Sequence, residues 1–145
     1  MNIKVKKLNI NAKLPFRATE GSAGADLYAC ISEDIVLKPK ARRIIPTGLA
    51  IELNDINCAA FIFPRSSVAS KSGISLANCV GVIDSDYRGE IGIPLINHSE
   101  SDFTVRNGDR IAQLVIMPVI IPIFEENDTL NETERGSGGF GSTGV

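Results

Sequence analysis

No stretch of this chain holds a 3.6-residue apolar period for more than about two turns. Short runs of β-branched and aromatic residues follow one another between glycines and prolines instead. Such runs occupy residues 3–8, 25–29, 34–37, 43–46, 49–53, 59–63, 79–83, 90–97, 103–105 and 110–117, and are read as strands. The 13 glycines and 7 prolines mark many of the boundaries. The pattern predicts an all-β domain: a sandwich, a jelly roll or a barrel. One short helix is predicted over residues 66–73, with a serine where an N-cap belongs and Gly73 where a C′ residue belongs. At two turns it depends on tertiary packing.

The C-terminal quarter changes character. Val119-Ile120-Ile121-Pro122-Ile123-Phe124 is strongly apolar, but its prolines exclude a central strand. Residues 125–134 are polar and acidic, and residues 135–145 read RGSGGFGSTGV. The expected organisation is a core over 1–117, an arm and spacer over 118–134, and a flexible glycine-rich tip over 135–145. Two readings of the arm stand open: it leaves the body and docks elsewhere, or it is an edge strand before a loose terminus.

Charge and cysteine usage exclude several functions. Lys and Arg total 15 against 17 Asp and Glu, for a net charge of -2, so the basic excess of a general polyanion binder is missing and no nucleic-acid partner is expected. A local cationic site remains allowed. One histidine and three cysteines without a C-x-x-C pair suggest neither a His-rich nor a Cys-based metal site. An odd number of thiols fits a reducing, intracellular setting, cytoplasmic or, in a eukaryotic or viral context, nuclear. Cys30, Cys58 and Cys79 are each read as small buried filler. No apolar run follows the N-terminal lysines, and residues 111–124 are broken by Gln113, Pro118 and Pro122. Neither a secretion signal nor a membrane partner is therefore expected.

Three segments offer chemistry. Residues 81–90, GVIDSDYRGE, lie between apolar strands and read as a hairpin. Asp84 directly follows a strand, which predicts partial burial and suits a general base; Asp86 lies nearer the bend, and Tyr87 offers a flat face for a sugar ring. Pro64-Arg65-Ser66-Ser67 sets hydroxyls and free amides beside a guanidinium, an anion site. Arg135 and its glycines free backbone amides to wrap phosphate oxygens, with Phe140 as a lone aromatic for stacking. Each also reads alone as ordinary structure: a turn, a helix cap, a loose terminus. The match of Gly136-x-Gly138-x-x-Gly141 to a dinucleotide fingerprint fails for want of a βαβ unit. The single histidine, His98, lies in a polar turn and is predicted to be solvated.

Together these segments resemble the trimeric dUTPase family. Five motifs stand in family order: Ala23-Gly24-Ala25-Asp26-Leu27, then Pro64-Arg65-Ser66-Ser67, then Gly81 to Gly89, then Gly108-Asp109-Arg110-Ile111-Ala112-Gln113-Leu114, and last Arg135 to Gly144. The resemblance implies a jelly-roll-like β-barrel with a C-terminal arm exchanged between subunits of a homotrimer. The activity it implies is hydrolysis of dUTP to dUMP and pyrophosphate, with Mg2+ on the triphosphate. Asp84 would activate water. Tyr87 would pack on the deoxyribose and exclude a 2′-hydroxyl. Asn78 and the backbone of Gly81, Val82 and Ile83 would read the uracil edge. Arg65, Ser66, Ser67 and Gln113 would hold phosphate oxygens, and Asp26 would reach the metal through water. Arg110 would be structural support. Arg135, Ser137, Gly138, Phe140 and Gly141 would close over a neighbouring site as a lid.

One departure stands out. Motif two in this family commonly continues Ser-Gly-Leu-Ala, whereas this chain has Ser66-Ser67-Val68-Ala69. The same resemblance allows two rival readings. A dCTP deaminase shares the fold, but the place of its catalytic glutamate is Pro94 here. A catalytically silent nucleotide-binding trimer is disfavoured because Asp84, Tyr87, Arg135 and Phe140 are all present.

Overall fold

The structure is a computed structural model and describes residues 1–139. It is all-β with one short helix. The strands are β1 (Lys4–Lys7), β2 (Ala25–Tyr28), β3 (Ile35–Leu37), β4 (Arg42–Pro46), β5 (Leu49–Glu52) and β6 (Cys58–Phe63), followed by α1 (Ser66–Ser72). Then come β7 (Ile74–Leu76), β8 (Gly81–Ile83), β9 (Gly92–Asn97), β10 (Phe103–Val105) and β11 (Arg110–Pro118). Every strand pair is antiparallel. No helix among the described residues is long and apolar enough to cross a membrane.

The strands form a four-stranded sheet ordered β2-β11-β6-β8, a three-stranded sheet ordered β4-β9-β7, and two ribbons, β1-β5 and β10-β3. This jelly-roll-like arrangement falls short of one closed barrel. Most strands are only three to six residues long, and turns divide the hydrogen-bonded ladders. Alternation turns one side of each sheet inward. Leu27, Ala60, Ile62, Ala112 and Leu114 from the larger sheet join Ile45, Ile74, Leu76, Ile93 and Leu95 from the smaller one in a single core.

Asn97 is the polar exception within that core. It is fully buried, yet every polar atom of its amide is satisfied. Nδ2 donates to the carbonyls of Leu37 and Ser101, both at 2.8 Å, while Oδ1 accepts from the Ser99 amide at 2.9 Å and the Ser99 hydroxyl at 2.7 Å. One side chain thus ties the end of β9 to β3 and to the turn after it.

Four expectations change on contact with the structure. A strand, β7, lies at residues read as loop; three residues are too few to show a period, and its partner β9 supplies the pairing. The helix is capped by the extended backbone of Arg65 without a side-chain cap bond, so Ser66 and Ser67 are its first residues; Gly73 takes the expected left-handed conformation, φ 64°. Residues 81–90 are not a hairpin. β8 pairs with β6 in one sheet, whereas β9 pairs with β4 and β7 in the other, so the segment crosses between sheets. Of the cysteines, only Cys30 is buried; Cys58 is half-buried and Cys79 is exposed on the β7–β8 turn. His98 is exposed, as its polar surroundings imply.

Beyond β11 the Val119 amide donates to the Asn57 carbonyl at 2.8 Å. From there to residue 139 no strand forms, and Ile120, Ile123 and Phe124 stand almost fully exposed.

Candidate active site

The predicted residues gather in two separate concavities. The first opens where the chain crosses between sheets, a pocket of about 270 Å3 lined by Asn78, Gly81, Val82, Ile83, Asp84 and Tyr87. Ile44, Ile62, Leu76, Ile91 and Pro94 give it apolar walls. Its floor is rigid for local reasons. The Ala77 amide donates to the Pro94 carbonyl at 2.7 Å and the Val80 amide to the Asn78 carbonyl at 2.7 Å, while Cys79 sits at φ 63° in the tight turn between them. Tyr87 is pinned at both ends: its amide donates to the Asp84 carbonyl at 3.2 Å, and its hydroxyl donates to the Glu90 carbonyl at 3.1 Å. Asp84 is exposed rather than partly buried, because β8 is the edge strand of its sheet and the chain turns outward after Ile83.

Sequence reasoning missed Glu90 in this pocket. Its Oε1 accepts the Gly48 amide at 2.7 Å, tying the crossing segment to the start of β5. The two residues are 42 apart, so no local signal exists for the contact.

The second concavity, about 470 Å3, is polar. Asp26, Arg65, Ser66, Ser67 and Gln113 line it, with Ser22 and Gly24 from the loop before β2. Strand register assembles it. Gln113 on β11 opposes Asp26 on β2 and Phe63 on β6, and Arg65 follows two residues after Phe63. The Gln113 Nε2 donates to the Pro64 carbonyl at 2.9 Å and so holds the turn that presents Arg65. A bulge sharpens the arrangement. Arg110 opposes Tyr28, whereas Ala112 opposes Leu27 and Gln113 opposes Asp26. Strict alternation would send residues 110 and 113 to opposite faces; the extra residue returns both to the face of Asp26.

Asp26 is the charged centre of this cradle. Arg65 Nε donates to its Oδ1 at 2.6 Å and Arg65 Nη2 to its Oδ2 at 3.5 Å, while Arg110 Nη1 donates to the same Oδ2 at 3.3 Å. The Asp26 side chain is 12% exposed and that of Arg65 20%. One carboxylate between two guanidiniums makes a net positive cluster; Arg65 presents it to the cradle, while Arg110 also lines the concavity on the other side.

The C-terminal candidates lie apart from both pockets. Arg135 is exposed, and its Nε donates to the Gly138 carbonyl at 2.8 Å, closing a local turn that includes Ser137. Phe140 and Gly141 fall outside the described residues. No single chain brings the two concavities and the tail into one cavity among the described residues.

Comparison with known proteins gives a consistent result. The family model for dUTPase matches residues 10–144. The chain is 56% identical over 133 residues to the deoxyuridine 5'-triphosphate nucleotidohydrolase of Desulfitobacterium hafniense, covering 92% of this chain and 88% of that one. To the protein of the same name from Neisseria meningitidis serogroup A it is 46% identical over 149 aligned positions, covering 100% and 99%. Among solved structures it is similar to the Staphylococcus bacteriophage 80alpha dUTPase with dUPNHPP, with a TM-score of 0.89, 29% identity and 99% of each chain covered.

Proposed function

Since the chain belongs to the dUTPase family, we propose that it hydrolyses dUTP to dUMP and pyrophosphate, which limits uracil incorporation into DNA and supplies dUMP for dTMP synthesis. Water attacks the α-phosphorus, the bond from that phosphorus to the α–β bridging oxygen breaks, and pyrophosphate leaves. Asp84 takes the proton from the attacking water as general base. The observation that carries this reading is the pairing of an apolar-walled pocket bearing Asp84 and Tyr87 with a separate cationic cradle bearing Arg65, Ser66, Ser67 and Gln113. A nucleoside suits the first and a triphosphate suits the second.

In the nucleoside pocket the uracil edge meets Asn78 and the backbone of Gly81 to Ile83. A narrow turn excludes the thymine methyl by bulk and cytosine by unmatched donors. Tyr87, held at its amide and its hydroxyl, presents a fixed ring to C2′ of the sugar and leaves no room for a second hydroxyl. In the cradle, Arg65 and the two serines meet phosphate oxygens, with the Ser67 hydroxyl standing where the family commonly has glycine.

The site is completed by other copies of the chain. The protein works as a homotrimer in which the apolar arm, residues 119–124, covers its exposed side chains on a neighbour, removing from water surface worth roughly 25 cal/mol per Å2. Arg135, Ser137, Gly138, Phe140 and Gly141 then close over a neighbouring pocket and exclude bulk water.

Mg2+ arrives with the substrate, chelated by triphosphate oxygens. The donor set does not fit a resident ion. Among the described residues no three His, Cys, Asp or Glu side chains cluster, and both oxygens of Asp26 already accept from arginines.

A substrate panel tests the proposal: pyrophosphate release is expected from dUTP and not from dCTP or UTP. Release of ammonia from dCTP would instead support the deaminase reading. That reading lacks its glutamate, since Pro94 stands in β9 on the pocket wall.

A further inference from the structure

We propose that Glu90 is a positioning residue for rejection of the 2′-hydroxyl: its carboxylate, bound to the Gly48 amide on the β4–β5 turn, fixes the carbonyl to which the Tyr87 hydroxyl donates. The inference rests on the dUTPase reading and deepens it, since it concerns the same pocket.

The crossing segment needs such a fastening. Residues 84–91 belong to no strand, and Gly89 carries no side chain to restrain its two backbone dihedrals. The far end of the Tyr87 ring is therefore only as fixed as the Glu90 carbonyl that holds its hydroxyl at 3.1 Å.

The turn that fastens the segment is rigid. Thr47 is fully buried, and its amide and hydroxyl both donate to the Ile91 carbonyl, at 3.3 and 2.7 Å. Gly48 takes φ 66°, with Ala12 Cβ and Cys30 Sγ only 2.9 and 3.0 Å from where a Cβ would stand. Its carbonyl accepts the Leu8 amide at 2.8 Å. The Gly48 amide, held from these sides, donates to Glu90 Oε1 at 2.7 Å.

The peptide unit between residues 90 and 91 is thus held at both ends. Buried Ile91 holds one end through Thr47 and Leu49, and the Glu90 carboxylate holds the other, next to Gly89. In a trans peptide N–H and C=O point to opposite sides. The N–H donates to the Leu49 carbonyl at 2.8 Å, and the C=O takes the Tyr87 hydroxyl. A single peptide plane connects β5 to the ring. Releasing the exposed Glu90 side chain loosens only the end beside Gly89, so the fold survives while the ring loses its fixed place. A ring that yields by a fraction of an ångström still packs on deoxyribose but no longer shuts out ribose.

The test separates positioning from bulk stability and from charge. Glu90→Ala should narrow the preference for dUTP over UTP in kcat/KM by about tenfold, with kcat on dUTP within a few-fold of wild type. Glu90→Gln, whose Oε1 also accepts the Gly48 amide, should keep the wild-type preference within about threefold. Tyr87→Phe removes the hydroxyl, so adding Glu90→Ala to it should change the preference no further. An unchanged preference in Glu90→Ala, a glutamine variant as poor as the alanine one, or an additive loss in the double variant overturns the proposal. The ring is also readable without nucleotide. The chain has no tryptophan and two tyrosines, so Tyr28→Phe leaves Tyr87 as the sole emitter. In that background acrylamide should quench the emission more strongly in Glu90→Ala and not in Glu90→Gln; equal quenching in all three overturns the proposal. Failure of the dUTPase reading would look different: wild-type protein would release no pyrophosphate from dUTP, while the quenching difference would remain.

Discussion

Tyr87 and Gly89 share one space. A methyl group on Gly89 would lie 2.5 Å from Tyr87 Cζ and closer still to its hydroxyl, so the ring occupies its position only because residue 89 has no side chain. Gly89→Ala should therefore displace the ring. The expected result is a fall in kcat/KM for dUTP of about tenfold to a hundredfold and weaker discrimination against UTP. Fold stability should change by less than about 1 kcal/mol, because the loop is largely exposed. Steady-state kinetics on both nucleotides, with a thermal melt, checks it.

Asp84→Asn removes the proposed base while keeping shape. Turnover is expected to drop by about 10²–10⁴-fold, with binding of dUpNHpp within a few-fold of wild type. Pyrophosphate release and calorimetry read the two quantities separately, and undiminished turnover would remove Asp84 from its role.

Removal of residues 135–145 should nearly abolish turnover while leaving the oligomer intact, since the apolar arm remains. Light scattering and a dUTP assay on the same sample decide this, and full activity in the shortened protein would refute the lid.

Asn97→Ala strips four hydrogen bonds from a fully buried position and takes the Asn97 donor from the carbonyl of buried Leu37. The expected cost is about 2–4 kcal/mol of stability, with little change in kcat for the molecules that remain folded. Urea denaturation measures the first and active-site-normalised kinetics the second.

Acid should loosen the N-terminal ribbon. Lys4 donates to Glu52 at 3.0 Å across β1 and β5, and this bond, then the charge of Lys4, holds the Glu52 carboxyl below its ordinary value of 4.5. A depressed folded-state pKa stabilises above the unfolded value, and the contribution fades as pH falls from about 4.5 through the lower folded value. Amide exchange in β1 should rise over that window, less steeply in Lys4→Met, and high salt should blunt the difference because the pair is solvent-exposed.

Much of the strand order was legible because alternation and turn residues are local. β9 shows why: Ile93, Leu95 and Asn97 alternate inward, and proline and glycine punctuate the run. What escaped was non-local. β7 has three residues and exists through its pairing with β9. The crossing of residues 84–91 between sheets resembles a hairpin in one dimension, since only the partners of β8 and β9 distinguish them. The motif letters named Asp26, Arg65 and Gln113, yet the ion pair joins residues 39 apart and depends on strand register, which sequence spacing does not display. Glu90 carried no signal at all, because its partner Gly48 offers only a backbone amide.

The bulge between Arg110 and Ala112 gives β11 one residue to spare. Losing Ile111 or Ala112 would leave Arg110 against Tyr28 and Gln113 against Asp26 with plain alternation between them, so the polar face would survive. The cost would fall on the core, where both of those side chains are buried. Beyond Gln113 the ladder has no such slack, and a residue lost there would turn the remainder of β11 over, exchanging its inward and outward faces. A three-base gap is thus far more damaging late in this strand than at its start.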